Sequence, residues 1–405
     1  MCPAPFSIVL SIMKKTIFII TGLCILLQWG CRLQELSVCS PDFTSFERLY
    51  MQSDTLVVSD MTATSDGNFI ICGSIGDDIF LMKIDQEGNT IFFERDVIPV
   101  TSETCNAIAI TPDGGFVTCG VQESRAYLAK YDAQGKHQNQ NVQAEVSDCR
   151  CIVDEGGGQY IISGRRHNNG IMNTYVAPVT FNNTFPAIMS GYLPTPPRSG
   201  TEAAQAVLVT PSGYTVAGFS YNSMPPGNAA AVHFYRLHDN LNVVMGSEKF
   251  HHLGTQQDIA NDMIQTPQGN YMIVGNFHTT PEVGNGVDMF VLEVSQNGEI
   301  LNQYSYGGSR KDVALNIIHA HQSGQYIVTG RSQSFGDSSE DFYVSKINQD
   351  GSIVWQQTFG QPATDEVPAA VIRTGDCGYI IAGRSTQNGQ HRPYIIKIDE
   401  VGNIQ

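Results

Sequence analysis

The stretch NIIHAHQSGQYIVTGRSQSFGDSSEDFYVSKINQDGSIVWQQTFG, Asn316–Gly360, decides the fold. Its apolar residues alternate or run in short β-branched and aromatic groups, and they are cut by QSGQ at Gly324 and QDGS at Gly351. Such runs between Gly-centred turns read as strands joined by tight reversals, with Gly supplying the left-handed backbone that the turn needs. The spacing predicts four strands: an inner one ending in His319-Ala320-His321, then YIVTG, then DFYVSKIN after a longer loop, then SIVWQQTFG.

Outward from this stretch the same unit recurs along the chain. A strand ending in Gly appears as FIICG, FVTCG, YIISG, YTVAG, YMIVG, YIVTG and YIIAG, closing on Gly73, Gly120, Gly164, Gly218, Gly275, Gly330 and Gly383. Each is preceded by a turn such as SDGN, PDGG or PQGN and by a strand of small or apolar residues. Each is followed, after a loop of variable length, by an alternating strand such as DIFLMKID or RPYIIKID and a second turn such as QEGN or EVGN. A repeat about fifty residues long with four strands per unit is the signature of propeller blades. The expectation is an all-β, seven-bladed β-propeller of four-stranded antiparallel blades over residues 45–405. Blade 3 is the poorest match, because Met172–Gly200 keeps neither landmark of the unit's second half. The seventh unit stops after its second turn, while Ser45–Met51 stands ahead of the first unit. That segment is therefore predicted to supply the outer strand of the last blade and close the ring.

The landmarks T-x-D-G-G-[YF]-x-x-x-G, K-I-D-x-x-G and W-x-x-x-x-G-G resemble the Gly-rich propeller repeats of secreted and lipid-anchored proteins in Bacteroidota-like bacteria. The resemblance covers about residues 46 to 405 and implies architecture; it carries no fixed activity.

The N-terminus has a different character. Met13-Lys14-Lys15 is basic, Thr16–Leu27 is apolar, and Gly30 precedes Cys31. This resembles a bacterial lipoprotein signal over residues 1–30 with Cys31 as the lipidated residue, although Gln28-Trp29 departs from the usual Leu-Ala/Ser box. The other reading is an uncleaved anchor, for which the run after Lys15 is short of the roughly 20 apolar residues a span needs. Met13 begins a conventional signal by itself. The expected location is the cell envelope, lipid-anchored at the outer membrane, with residues 31–44 as a tether. A net charge of −16 argues against a nucleic-acid surface.

Beyond Cys31 the cysteines are Cys39, Cys72, Cys105, Cys119, Cys149, Cys151 and Cys377, an odd number. Cys72 and Cys119 stand at the same place in successive repeats and read as small buried residues. Cys105 with Cys149 or Cys151 is a candidate bridge.

Alternate connections of a blade fall on opposite faces, so the tight turns share one face and the long insertions the other. The insertions are Arg165–Ile171, Phe219–Ala230, Asn276–Val287 and Arg331–Glu340. Long loops on a rigid scaffold are where binding concentrates. The candidate ligand-binding residues on that face are Arg165, Arg166, His167, Tyr221, Phe277, His278, Arg331, Phe335 and Arg384. Aromatic rings stack on sugar faces, and Arg forks hold carboxylate or sulfate. Glu103, Glu202, Asp258, Asp312 and Asp365 recur near the start of the inner strand, as a cation-binding ring or, in the preferred reading, as acceptors for link backbone. Arg165, Arg331 and Arg384 are expected to pair with them. His319 and His321 are a weak metal candidate, and Asp337–Asp341 reads as a solvated loop. No metal and no cofactor is expected, because no phosphate loop, nucleophile elbow or H-E-x-x-H occurs in the sequence.

The function expected from these features is a non-catalytic, monomeric binding scaffold that recognises a glycan or a protein partner through the long-loop face. The alternative is a carbohydrate-active propeller enzyme, a polysaccharide lyase or hydrolase.

Overall fold

In the computed structural model the chain forms seven four-stranded antiparallel sheets. Residues 43–405 are described except 52–53, 98–100, 144–145, 169–170, 182–185, 189–190, 193–199, 222–228, 255, 280–285, 338 and 405. The lipoprotein signal, Cys31 and most of the tether lie outside the described residues.

Blade 1 comprises β2 (Leu56–Ala63), β3 (Phe69–Ile75), β4 (Asp78–Ile84) and β5 (Thr90–Asp96). Blade 2 comprises β6 (Glu103–Ile110), β7 (Phe116–Gln122), β8 (Arg125–Tyr131) and β9 (His137–Gln143). Blade 3 follows with β10 (Asp148–Gly156), β11 (Gln159–Asn168), β12 (Ile171–Phe181) and β13 (Pro186–Ile188), and blade 4 with β14 (Glu202–Thr210), β15 (Gly213–Tyr221), β16 (Ala230–Leu237) and β17 (Lys249–His251). Blade 5 holds β18 (Ile259–Gln265), β19 (Tyr271–His278), β20 (Val287–Val294) and β21 (Ile300–Tyr306). Blade 6 holds β22 (Asp312–His319), β23 (Gln325–Ser332), β24 (Asp341–Asn348) and β25 (Ile353–Phe359). Blade 7 is β26 (Asp365–Arg373), β27 (Tyr379–Gln387) and β28 (Gln390–Ile398), completed by β1 (Phe46–Leu49) in the order β1-β28-β27-β26. The N-terminal strand thus closes the ring as its position in the sequence predicts. Blade 3 is complete but uneven, its third strand long and its outer strand three residues.

Burial explains the residue types. The second and third strands are covered on both faces by neighbouring blades, so β3 and β4 are almost wholly buried and read as continuous apolar runs. Outer strands such as β21 and β25 are mostly exposed and mix polar with apolar residues.

The repeat landmarks serve this framework. The Lys of K-I-D meets the Asp of T-x-D-G in its own blade: Lys83–Asp66 at 2.7 Å, Lys130–Asp113 at 2.9 Å and Lys397–Asp376 at 2.7 Å. These contacts, with those of the adjoining threonines, hold the Asp66 carboxyl well below the usual range and bring that of Asp113 down to about 2. The Asp of K-I-D caps its turn: Asp399 Oδ1 accepts the N–H groups of Val401 and Asn403 at 3.0 and 2.8 Å. Outer strands clasp the next blade by donating to its second turn, as Tyr306 Oη does to the Gly351 carbonyl and Trp355 Nε1 to that of Glu400. In blade 4 His251, the last residue of β17, makes this same contact with the Gly298 carbonyl at 2.9 Å.

The recurring Gly has a different task from the one its sequence context suggests. It does not end a strand: β23 runs two residues past Gly330, and β19 three past Gly275. In every blade the pairing of inner and second strands slips by one residue opposite or beside this Gly, between Val58 and Asp60, Cys105 and Ala107, Cys149 and Cys151, Ala204 and Ala206, Ala260 and Asp262, Ala314 and Asn316, and Pro368 and Ala370. The slip is a β-bulge, and it drives an inner-strand carbonyl against the Gly Cα. A Cβ at Gly330 would lie 2.1 Å from the Val313 oxygen, and one at Gly120 would lie 1.8 Å from that of Thr104. The requirement is close approach of backbone.

Candidate functional site

Seven bulges make one central cavity. The bulged residues Ser59, Asn106, Arg150, Gln205, Asn261, Leu315 and Ala369, one from each blade, all line a space of about 560 Å³ between the inner strands. A bulge turns an extra side chain inward without disturbing the apolar residues that hold the blades together. Polar groups face the cavity from blades 1 to 5, while blades 6 and 7 offer Leu315 and Ala369 with Asn316 and Arg384 beside them.

Several of these groups stitch blades together. Asn106 Nδ2 donates to the Cys149 carbonyl at 2.6 Å, Asn261 Nδ2 to that of Ala314 at 2.7 Å, and Arg150 Nη1 to Gln205 Oε1 at 2.6 Å. Asp60 and Asp262 follow their bulges and act alike. Asp60 accepts the N–H of Met61 at 2.8 Å and of Ile108 in the next blade at 3.0 Å; Asp262 accepts those of Met263 at 2.8 Å and Ile317 at 2.9 Å. Burial in the channel wall pushes the Asp60 carboxyl up to about 7 and that of Asp262 to about 6, against the pull of those N–H groups.

The acids at the loop end of the inner strands are hydrogen-bonded into links and neighbouring strands. Glu103 takes the Gln122 amide at 2.6 Å, and Glu202 the Ser220 hydroxyl at 3.0 Å. Asp258 takes the Leu253 N–H at 2.6 Å, and Asp312 the Gly308 N–H at 2.9 Å. In blade 7 the buried acid is Glu366, bonded to Ser385 at 2.6 Å, while Asp365 is exposed. The difference arises because Glu366 lies opposite Ser385, two residues past Gly383, as Asp312 lies opposite Ser332.

The arginines just past the repeat Gly fare differently from one another. Arg165 pairs with Asp148 through Nε at 2.6 Å. Arg331 does not pair with the inner-strand acid; its Nη1 meets Glu340 of its own loop at 2.7 Å. Arg384 lines the channel, its Nε is buried without a partner, and it makes no ion pair among the described residues. Burial and the Arg331 charge lower its pKa, with Glu340 pulling the other way. The same guanidinium, after burial, lowers the pKa of His391, whose Nδ1 lies 2.9 Å from the Thr386 hydroxyl. Arg331, Arg384 and His391 thus lie together where blades 6 and 7 meet the loop face, with Arg331 held by Glu340 and the histidine pushed toward its neutral form.

The other candidates lie apart from this group. Arg165, Arg166 and His167 belong to β11, which pairs with β12 out to Asn168 and Ile171, so the expected long loop there is an extended hairpin. His167 is exposed and its N–H donates to Ser147 Oγ at 2.9 Å. Tyr221 ends β15 with its ring edge against Phe219 at 5.4 Å, and His278, half-buried, ends β19. Phe277 is only 8% exposed and packs in the core between blades 4 and 5, because strand alternation turns it inward. Phe335 lies against Tyr343, centroids 5.5 Å apart.

His319 packs on Tyr326 of its own blade, while His321 packs on Tyr379 of the next and approaches the Gly378 carbonyl at 3.0 Å. The two rings are thus held by different blades. Asp337 accepts the Ser339 N–H of its own loop at 3.0 Å and the Ala363 N–H of the link to blade 7 at 3.2 Å.

The expected bridge from Cys105 to Cys149 or Cys151 is replaced by Cys119–Cys149, which joins β7 to β10 across blades 2 and 3. Cys119 is therefore a bonded residue, whereas Cys72 is a free, buried one. Cys377 is disulfide-bonded as well.

The bulge residues escaped the sequence reading, although a signal for them exists. A polar residue stands two places before the first apolar anchor in Ser59-Asp60-Met61, Asn106-Ala107-Ile108, Arg150-Cys151-Ile152, Gln205-Ala206-Val207 and Asn261-Asp262-Met263.

No protein-family model and no curated protein matches this sequence. Among solved structures the chain is similar to a catalytically inactive virginiamycin B lyase from Staphylococcus aureus with quinupristin, at 9% identity and a TM-score of 0.54, over 87% of this chain and 98% of that one. It is also similar to Sqt1 of Saccharomyces cerevisiae, at 9% identity and a TM-score of 0.50 over 88% and 100% of the two chains. Sqt1 of Chaetomium thermophilum gives 10% identity and a TM-score of 0.50 over 86% and 97%. Likeness at such identity shows the fold alone, and the fold is the seven-bladed propeller.

Proposed function

We propose that this protein is a non-catalytic binding scaffold, which takes an anionic glycan or the acidic side chains of a protein partner at the loop-face mouth of its channel. Arg384 carries the reading. A half-buried guanidinium without an ion pair among the described residues costs desolvation that a bound carboxylate or sulfate would offset. The neighbouring Arg331 already holds Glu340, which leaves the Arg384 charge for a ligand. The alternative, a lyase or hydrolase, would need a general base in the channel. Asp60, at about 7, is the group nearest that duty, but both its oxygens already accept backbone N–H groups.

The test compares a uronic-acid oligosaccharide with its carboxyl-reduced, neutral counterpart. The acid form alone should bind, more weakly as salt rises, and Arg384→Gln should weaken binding about tenfold or more with little change in melting temperature. Equal binding of the neutral sugar, or an Arg384→Gln protein that binds like the parent, would overturn the assignment. Product release in the same assay would favour the enzyme.

We also propose that the scaffold is held at the outer membrane through lipid on Cys31, as the lipoprotein-like segment ahead of it suggests. Cys31→Ala should accumulate unprocessed precursor that takes up no labelled fatty acid. Normal acylation of that variant would sink the idea.

A further inference from the structure

We infer that Cys72 and Cys105 form a second disulfide between blades, clasping blade 1 to blade 2 as Cys119–Cys149 clasps blade 2 to blade 3. The two pairs occupy equivalent places. Cys72 and Cys119 each stand one residue before the repeat Gly of the second strand, at Gly73 and Gly120. Their partners Cys105 and Cys149 each lie on the inner strand of the following blade, directly opposite that blade's own repeat Gly, Gly120 and Gly164. The ring therefore presents one geometry at successive junctions, and at the second of them that geometry supports a bond.

Four of the five remaining junctions bring these two positions together as well. Ser163 Oγ reaches the Ala204 carbonyl at 3.4 Å between blades 3 and 4. Ala217 shares a packed cluster with Ala260, Val274 with Ala314, and Ala382 with Val58. At the first junction the two residues are thiols, both buried, with sulfur atoms 2.7 Å apart. Disulfides persist in oxidising compartments, where Cys119–Cys149 would be held too.

The chemistry needs an oxidant, which we take to be a small-molecule or protein disulfide. One thiolate attacks it, forming a mixed disulfide and releasing one thiol; the second thiolate then displaces the other thiol and closes the Cys72–Cys105 bond. Two protons and two electrons leave the pair, and the oxidant's disulfide is reduced to two thiols. Burial of both sulfurs places this exchange before blades 1 and 2 have fully packed.

The test uses the full chain, refolded with glutathione disulfide or isolated from an oxidising compartment, then denatured, alkylated without reduction and digested. A peptide pair joined through Cys72 and Cys105 is expected, with Cys151 left as a labelled thiol. Alkylated Cys72 and Cys105 beside an intact Cys119–Cys149, or either residue joined elsewhere, would overturn the inference. Cys72→Ala with Cys105→Ala gives an independent readout. Ala217 and Ala260 hold these two positions between blades 4 and 5 within one packed cluster, so an alanine pair fits such a junction and the double variant should fold. It should melt below the oxidised parent, with the gap narrowing when both are reduced. Equal melting of the two oxidised proteins would also overturn the bond.

Discussion

Gly330→Ala should destabilise the propeller by about 3 kcal/mol, toward the upper end of the usual cost of overpacking a rigid site. The added methyl would sit 2.1 Å from the Val313 oxygen, 2.9 Å from Ala314 Cα and 3.0 Å from the Val313 carbonyl carbon. All three are backbone atoms of the bulged inner strand, so no side chain can rotate aside. Relief requires the bulge at Leu315 to move, and that strand is also fixed by Asn261 Nδ2 on the Ala314 carbonyl and Asp262 on the Ile317 N–H. Gly114→Ala is the contrast. Gly114 has φ of 80° with nothing within 4 Å of an added Cβ, so its cost is the left-handed backbone alone, about 1–2 kcal/mol. Chemical denaturation of both variants checks the ordering. If Gly330→Ala is the milder of the two, the repeat Gly does not exist for the bulge.

That comparison also marks where the sequence is readable and where it is not. The blade count, strand order and closing strand follow from period and turn chemistry, which are local and repeated seven times. The bulges are not local. Whether Gly275 ends β19 or lets it continue to His278 depends on a carbonyl from β18, well before it in sequence. Reading the Gly as a terminus pushed Arg165, Tyr221 and Phe277 out into loops, and made Phe277 look exposed when the strand carries it into the core. Ion pairs suffered similarly. Glu340 and the inner-strand acids look equivalent as partners for Arg331, and only the fold brings Glu340 within 2.7 Å. The shift from Asp365 to Glu366 is a register effect, in which one residue exchanges a buried acid for an exposed one.

The bulges also bear on how such a scaffold changes its ligand. Seven bulged side chains face the cavity, and they range from Arg150 to Leu315 and Ala369 with the backbone slip in place throughout. Residues that hold the blades together lie on neighbouring positions of the same strands, such as Met61, Ile108 and Ile317. The apolar packing between blades thereby rests mostly on residues other than the bulged ones, so a bulged side chain such as Leu315 or Ala369 can vary while that packing stays. Asp60, Asn106, Arg150, Asn261 and Asp262 limit this separation, because they face the cavity and also bond to the next blade.

Removing residues 43–51 should cost on the order of 5 kcal/mol, from the lost burial of Phe46 and the hydrogen bonds of β1. β1 is the outer strand of blade 7, in register from Phe46 opposite Lys397 to Leu49 opposite Tyr394. Phe46 is 8% exposed and packs with Phe69 and Phe80 of blade 1 and with Ile380 and Ile395 of blade 7. Tyr50 Oη donates to the Gly88 carbonyl at 2.6 Å, and the Arg48 guanidinium to that of Glu87 at 2.9 Å, so the segment clasps blade 1 as other outer strands clasp their neighbours. Its loss breaks the ring at the one junction that joins the two ends of the chain. The loss also bares β28, whose residues Tyr394–Ile396 are almost wholly buried in the intact protein. A bared apolar edge pairs with other chains, so the shortened protein should melt far below the parent and sediment as aggregate at moderate concentration. Phe46→Ala, which keeps the strand and removes the ring, should fall between the two and remain soluble. A shortened chain that melts with the parent would show that blade 7 holds without β1, and the ring would then be closed by the packing of its inner strands.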